Sequence, residues 1–266
     1  MVDVGLTLPN FVVDPQRVVD IAVAADGGPI AAVFGYDHLF RVAHDSSRRP
    51  ALECFAVLGA VAASTRTVRV GSLVARASLR PPAVLAANFA TLERIAPGRI
   101  IAGIGAGDGE SRAENEEFGL GPGTLADRVA ALERSVAAVG STSVPVWVGG
   151  TVRHVGAIAA AAGTWNRWGG DASAFAHDLA VLRSIAPSVV GTWGGLVVLA
   201  ETDTAARTKA QRLGAPHDAI VGAPPTVAGL LESFVDVGAA ALVLAPVDSS
   251  NVDNVALVEA VARHLA

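Results

Sequence analysis

This 266-residue sequence contains one cysteine and one lysine, and its net charge is small. Cys54 is the only cysteine, so an intrachain disulfide is impossible, which fits a reducing cytoplasm. The 20 basic and 25 acidic residues leave a formal charge of -5, which gives no reason to expect nucleic acid or an anionic membrane as a partner. Although 52% of the residues are hydrophobic, no apolar run approaches the roughly 20 residues that span a bilayer.

The first residues, Met1 to Val4, carry no basic segment and no long apolar run, so the sequence predicts no signal peptide. We therefore expect a cytoplasmic protein.

Several motifs that mark common catalytic chemistries are missing. No HxH, HExxH or CxxC pair occurs and the six histidines are scattered, so we expect no metal site. The sequence has no GxSxG nucleophile motif and no GxxxxGK[ST] phosphate loop. The glycines at positions 103, 105, 107 and 109 do not meet the GxGxxG spacing of a dinucleotide-binding fold.

The strongest positive signal is a repeated alternation of short apolar runs with helical patterns. Eight runs predict strands near residues 2–8, 31–36, 68–74, 100–104, 144–148, 164–167, 196–200 and 240–245. Strands that alternate with helices form parallel βαβ units, and eight units in about 250 residues predict one α/β domain over residues 1–266, a (β/α)8 TIM barrel. Active sites of such barrels lie at the carboxyl ends of the strands.

Two segments interrupt the alternation. Residues 105–123 form a polar, glycine-rich stretch after strand four, which predicts a substrate loop or else a decorative insertion. Residues 201–225 are expected to hold an extra helix near 205–213 and a loop before the helix that starts at Thr226. Elsewhere Leu125 and the apolar residues after it follow one helix face, and Thr124 with Asp127 resembles a capping box.

Four of the predicted loops carry candidate chemistry. Asp37 and His38 follow strand two and suit proton transfer, or else Asp37 caps a turn and His38 packs on the rim. Arg76 and Arg80 follow strand three and suit an anionic ligand, or else they are surface arginines. The loop after strand four offers Asp108 or Glu110 as its acid. The turn after strand five predicts an anion site at a helix N-terminus, or else a plain tight turn; its residues are Gly149, Gly150, Thr151, Val152 and Arg153.

Taken together, these segments resemble the luciferase-like monooxygenase superfamily, in particular its branch of flavin- and coenzyme F420-dependent oxidoreductases. The resemblance covers nearly the whole chain in order. It is carried by Asp37 and His38 and by residues 5–10, 70–74, 80–85, 90–93, 97–99, 103–107, 145–150, 163–166, 221–224 and 243–246.

The resemblance implies a barrel that holds a deazaflavin or flavin ring at its strand ends. It assigns His38 as the proton-transfer residue, with Asp108 assisting, and places Asp37 beside the ring. It places a non-prolyl cis peptide near Leu73 and Val74 behind the ring. The remaining cofactor contacts are Ala75, Arg76, Ala106, Gly107 and, for the phosphate, residues 149–153.

The sequence departs from the family pattern in several places. The related sugar-phosphate dehydrogenases carry Glu where Asp108 stands, which reaches one methylene further. A small hydroxyl residue matches Arg76 in some relatives, and the turn after strand five contains fewer glycines here. The insertion after strand four is shortened, which suggests a more open substrate site.

The resulting hypothesis is an oxidoreductase that moves a hydride between coenzyme F420 and a small organic substrate. The alternatives are an FMN-dependent monooxygenase that uses O₂, and a barrel that binds cofactor without catalysis. By family analogy we expect a homodimer that forms through the second and third helices.

Overall fold

The computed structural model describes residues 2–42, 48–108, 111–120 and 123–266. Its strands are β1 (Asp3–Thr7), β2 (Ala32–Gly35), β3 (Phe40–Val42), β4 (Arg48–Pro50), β5 (Arg69–Ser72), β6 (Ala75–Arg76), β7 (Ile100–Gly105), β8 (Val146–Gly149), β9 (Thr164–Trp168), β10 (Val190–Leu199), β11 (Ile220–Gly222) and β12 (Ala239–Pro246). Its helices are α1 (Gln16–Ala25), α2 (Cys54–Ser64), α3 (Pro82–Ile95), α4 (Arg112–Glu117), α5 (Leu125–Gly140), α6 (Val152–Ala162), α7 (Ala172–Ile185), α8 (Asp203–Leu213), α9 (Pro224–Asp236) and α10 (Asp253–His264).

Eight parallel strands close into a barrel. Their order is β10, β12, β1, β2, β5, β7, β8 and β9, and the ring closes because β9 pairs again with β10. The first and last strands are neighbours, with Gly5 opposite Val243. The predicted (β/α)8 barrel is therefore confirmed, and strand six, predicted at residues 164–167, is β9.

The helix signals read from the sequence also agree with the structure. Thr124 caps α5 by accepting the N–H of Asp127, and the Asp127 carboxylate accepts the N–H of Thr124 in return. This reciprocal pair is the capping box that the sequence predicts. Helix α3 begins at Pro82, where a missing N–H costs nothing.

Several elements differ from the prediction. Strand β10 starts at Val190, six residues before the expected start, because Gly191, Gly194 and Gly195 obscure the β signal of its first half. A Cβ at Gly195 would lie 2.4 Å from the Trp193 ring, so local packing requires a glycine there. Strand β11 lies within the predicted loop 201–225 and pairs with β10 outside the barrel ring. The antiparallel β3–β4 pair and helix α4 were not expected.

Apolar side chains fill the barrel and the layer between the strands and the helices. The barrel interior is closed by a compact cluster in which the rings of Phe34 and Trp147 lie 5.4 Å apart; its other members are Ala32, Leu73, Ile101, Ala241 and Val243. A filled interior leaves the carboxyl ends of the strands as the place for a ligand. No helix in the described part of the chain is long and apolar enough to cross a bilayer.

Candidate active site

Glu114 links the loop after β2 to the short helix α4. Its Oε1 atom lies 2.8 Å from Nδ1 of His38, and its Oε2 atom accepts the Leu39 N–H at 2.8 Å. The Glu114 side chain is 6% exposed, whereas that of His38 is 31% exposed. Because an ionised carboxylate can only accept, this contact requires the proton on Nδ1. In the neutral ring Nε2 is then left as a proton acceptor.

The electrostatic surroundings keep Glu114 ionised. Burial by itself would raise the pKa of this carboxyl group. The hydrogen bonds from His38 and from the Leu39 N–H, together with the charges of His38 and Arg76, outweigh burial and lower the pKa below its ordinary value. The carboxylate is therefore charged at neutral pH and can hold the His38 ring in a fixed orientation.

Arg76 is buried at the centre of the same network. Its Nη2 atom donates to Oε2 of Glu114 at 2.7 Å, its Nε atom donates to the Asp37 carbonyl at 2.8 Å, and its Nη1 atom donates to Asn115. All three guanidinium nitrogens thus bind protein groups, and only 3% of the residue is exposed. The predicted contact of Arg76 with a ligand anion stays a prediction, while its role in holding Glu114 is visible.

Asp37 immediately precedes His38 in the sequence and is 2% exposed. Its Oδ2 atom accepts the Arg76 N–H at 2.9 Å, and Arg80 donates to both of its oxygens at 2.7 and 3.1 Å. Arg80 also donates to Glu53. The structure therefore places Asp37 in the supporting frame of the loop, and its expected contact with a cofactor ring stays a prediction.

Asp108 lies just before the N-terminus of α4. Its Oδ1 atom accepts both the N–H and the hydroxyl of Ser111 at 2.9 Å. Burial would raise the pKa of Asp108, but the two Ser111 bonds and the charges of His38 and Arg76 lower it instead. Asp108 is thus a second ionised carboxylate near His38. Glu110, the alternative acid of this loop, lies outside the described residues.

The peptide bond between Leu73 and Val74 is cis, as the family resemblance implies. The Val74 methyl groups pack across the ends of β7 and β8: a Cβ added at Gly105 would lie 2.5 Å from Cγ2, and one added at Gly149 would lie 2.7 Å from Cγ1. Glycine at these two positions is therefore required by Val74 itself. Ala75 follows in β6 and pairs with Ile104, while Ala106 and Gly107 continue from β7 on the same side of the barrel mouth.

The turn after β8 exposes the N-terminus of α6. Gly150 has φ +139°, and its carbonyl accepts the Trp165 indole N–H at 2.8 Å. Thr151 is the N-cap residue, but its side chain makes no capping bond. In the first turn of α6 the N–H groups of His154 and Val155 donate to the Thr151 carbonyl, so those of Val152 and Arg153 are the ones without a carbonyl partner earlier in the helix. The exposed Arg153 side chain adds a positive charge at this end of the helix. This geometry suits an anionic group such as a phosphate.

A comparison of the sequence with models of protein families shows which family the chain belongs to. The family model described as luciferase-like monooxygenase matches residues 2–140, more than half of the chain. The chain belongs to the luciferase-like monooxygenase family.

Among curated proteins, the chain is similar to the F420-dependent glucose-6-phosphate dehydrogenase of Nakamurella multipartita. It is 37% identical over 123 residues, which cover 46% of this chain and 35% of that protein. The chain thus spans about a third of the length of the curated relatives that it matches.

Two solved structures share the fold of this luciferase-like monooxygenase family member. An F420-dependent secondary alcohol dehydrogenase in complex with an F420–acetone adduct superposes with a TM-score of 0.83 at 15% identity, covering 100% of this chain and 99% of that chain. The oxygenating constituent of 3,6-diketocamphane monooxygenase from Pseudomonas putida, in complex with FMN, gives 0.73 at 16% identity, with 100% and 98% covered.

Sequence reasoning missed Glu114 and also Phe11, whose ring lies 5.6 Å from the His38 ring. Ser111 and Glu114 have the spacing of a capping box, which predicts that Glu114 folds back on its own helix. Instead the Ser111 N–H binds Asp108, and Glu114 reaches the loop after β2. No local pattern could reveal this contact, because it joins residues 76 positions apart.

Proposed function

We propose that this member of the luciferase-like monooxygenase family is a coenzyme F420-dependent oxidoreductase acting on a small organic substrate. The observation that carries the proposal is His38, which stands at the barrel mouth with Nδ1 held by the ionised Glu114. The names of the F420-dependent relatives support the choice of cofactor. No cluster of three or more His, Cys, Asp or Glu side chains suited to a metal ion occurs in the part of the chain that the structure describes.

The residues at the barrel mouth fit such a cofactor. The turn at Gly150 and Thr151, with the first N–H groups of α6 and the Arg153 side chain, would hold the phosphate. The cis peptide at Leu73–Val74 would back the ring, with Ala106 and Gly107 at its edge. When bound, the deazaflavin supplies a carbon centre that accepts or donates a hydride.

The protein's own contribution is to manage the proton that accompanies hydride transfer. Glu114 fixes the Nδ1–H tautomer of His38, so Nε2 can accept a proton from a substrate hydroxyl or return it in the reverse direction. Arg76 and the Leu39 N–H hold Glu114 in place. Asp108 adds negative charge near the same ring and would stabilise the imidazolium form.

An FMN-dependent monooxygenase is the second candidate. It is favoured by the structural likeness to the FMN-bound enzyme from Pseudomonas putida. Both cofactors present a phosphate and a tricyclic ring, so the α6 turn and the cis peptide serve either. A third candidate is a barrel that binds cofactor without catalysis. The buried carboxylate that positions His38 argues against it, because a carrier does not need an oriented imidazole.

The proposal includes assembly as a cytoplasmic homodimer through α2 and α3. Apolar side chains on the outer surface of α3 support it, since Val84 is 46% exposed and Ile95 is 44% exposed. Light scattering at micromolar concentration should then give twice the chain mass of 26.9 kDa. A monomeric mass would contradict this part of the proposal.

Supplying reduced F420 with small ketones, enones and quinones, in the absence and presence of O₂, tests the reaction. We expect anaerobic oxidation of the deazaflavin with at least one acceptor, which would return its oxidised absorbance. Turnover only with reduced FMN and O₂ would support the monooxygenase. F420 binding without any turnover would support the non-catalytic barrel.

A further inference from the structure

Three aromatic side chains form a continuous surface at the barrel mouth beside His38. The Phe11 ring lies 6.4 Å from the Tyr36 ring and is stacked on it, and the Tyr36 and Trp168 rings lie 6.2 Å apart in an edge-to-face arrangement. Phe11 also lies 5.6 Å from the His38 ring. We call Phe11, Tyr36 and Trp168 the aromatic shelf.

The barrel geometry explains why these rings meet. Phe34 belongs to the barrel interior, and Tyr36, two residues further along the chain, leaves β2 on the same face. Trp168 ends β9, which is separated from β2 in the sheet by β10, β12 and β1. The contact between Tyr36 and Trp168 therefore crosses the mouth above the packed interior.

A glycine on the neighbouring strand lets the Trp168 ring pack closely against the backbone at the barrel mouth. Gly194 is paired with Trp168, and a Cβ at Gly194 would lie 3.0 Å from the Trp168 ring. Even so, Trp168 is 45% exposed. Tyr36 is more enclosed, and burial raises the pKa of its hydroxyl to about 12, so the ring is neutral throughout the physiological range. The shelf is thus uncharged, with its accessible end at Trp168.

The cations near the strand ends are mostly committed elsewhere. Arg76 and Arg80 bind Glu114 and Asp37, as described above. Arg167 pairs with Asp178 on α7, and the single lysine, Lys209, pairs with Asp248 at 2.8 Å. Arg41 is the exception: its guanidinium lies 5.8 Å from the Phe11 ring centre in a cation–π contact, so a positive charge borders the Phe11 end of the shelf. At the accessible Trp168 end the neighbouring Arg167 is already paired, and these surroundings favour a flat neutral ligand over a phosphate dianion.

We propose that the aromatic shelf binds a flat, uncharged, conjugated ring of the substrate beside His38, and that phosphorylated sugars are not substrates. This substrate class rests on the proposed oxidoreductase function, because it places the substrate next to the proton-transfer residue. The phosphate-binding turn at α6 remains free for the cofactor.

Isothermal titration with coumarin and with glucose 6-phosphate, each with and without bound F420, tests the proposal. Coumarin is a flat neutral conjugated probe, and glucose 6-phosphate is the charged comparison. We expect coumarin to bind and glucose 6-phosphate not to bind. Trp168→Ala should weaken coumarin binding by about tenfold. Trp168→Phe should recover most of the loss, and Leu230→Ala, which removes an exposed apolar side chain on the outer helix α9, should have no effect.

F420 titration of the same variants separates this proposal from the proposed function. F420 affinity should change less than about twofold in Trp168→Ala, which also shows that the variant is folded. Binding of glucose 6-phosphate but not coumarin, binding of neither, or equal coumarin affinity in Trp168→Ala would overturn the shelf. Failure of F420 to bind while coumarin still binds at Trp168 would overturn the proposed cofactor and leave the shelf standing.

Discussion

His38 donates from Nδ1 to Oε1 of Glu114 at 2.8 Å, across 76 positions of sequence. This bond connects the loop after β2 to α4, and Arg76 donates a hydrogen bond to the second oxygen of the same carboxylate. The arrangement follows the general logic of an imidazole oriented by a buried carboxylate, in which one ring nitrogen is fixed so that the other can exchange protons.

Replacing Glu114 by Gln should damage both stability and turnover. If the oxygen of the new glutamine accepts from His38, its NH₂ group faces the Leu39 N–H and Arg76, which are themselves donors. The buried Arg76 guanidinium also loses its negatively charged partner. We expect a loss of about 3–5 kcal/mol in the free energy of unfolding, measured by urea denaturation. Glu259→Gln, the same change in the surface ion pair with Arg263 on α10, serves as the control and should cost less than about 1 kcal/mol. A wild-type unfolding curve for Glu114→Gln would refute the network.

Replacing His38 by Ala should lower turnover much more than cofactor affinity. Loss of a positioned proton-transfer group costs about 10²–10⁴-fold in rate. The predicted cofactor contacts at Leu73–Val74 and at the α6 turn are left intact, so F420 affinity should stay within about threefold. Steady-state rates with the best acceptor and a fluorescence titration of F420 check both halves. Turnover at the wild-type rate would remove His38 from the mechanism.

Gly105→Ala should disturb Val74 and weaken cofactor binding. The new methyl would lie 2.5 Å from Val74 Cγ2, and a β-branched side chain has few other rotamers available. We expect a destabilisation of about 1–3 kcal/mol and a lower F420 affinity.

Gly229→Ala provides the matched glycine control. Gly229 lies inside α9, and a Cβ there would meet no atom within 4 Å. This variant should be stabilised by about 0.5–1 kcal/mol and should bind F420 normally. If both variants behaved alike in thermal unfolding and F420 titration, packing of Val74 could not be the reason for glycine at position 105.

Asp26 should stabilise the fold above its ordinary pKa and lose that effect in acid. Slight burial would raise its pKa, but bonds from the Thr67 hydroxyl and from the N–H groups of Val68, Thr67 and Arg66 lower it well below 3.8. Because the folded pKa is depressed, the contribution is present above about pH 4 and declines as the pH falls towards the folded pKa.

Asp26→Asn measures that contribution. The residue is largely solvated, so we expect a loss of only about 1–2 kcal/mol at neutral pH. Urea unfolding of the variant and the wild type should show this gap at about pH 7 and a smaller gap at about pH 3. A gap that stayed constant or widened in acid would contradict the assigned role of the carboxylate.

The sequence predicts much of the fold because each barrel unit carries its own local signal. Seven of the eight barrel strands lie close to their predicted positions, and the Thr124–Asp127 box marks the start of α5 as expected. Strand β10 was placed too late because glycines interrupt its apolar pattern. Gly195 and Gly194 make room for Trp193 and Trp168, and Gly191 makes room for Leu179 and Phe175 of α7. Such reasons lie in tertiary packing and leave no periodic trace.

The candidate site was predicted in part for the same reason. His38, Asp108 and the α6 turn follow strands, so the barrel topology alone brings them to one face. Glu114 lies inside α4 and Trp168 is the last residue of β9, and the direction in which each side chain points depends on contacts with distant parts of the chain. The family resemblance placed the cis peptide at Leu73–Val74 correctly, whereas residue patterns alone gave no indication of it.

A fluorescence titration of the purified apo-protein with coenzyme F420, and separately with FMN, tests the central claim most directly. The account predicts saturable binding of F420 that is much tighter than binding of FMN, and that is weakened by Gly105→Ala but not by His38→Ala. Tight binding of FMN with no binding of F420 would contradict the account and identify a flavin enzyme. Binding of neither cofactor would contradict the oxidoreductase assignment altogether.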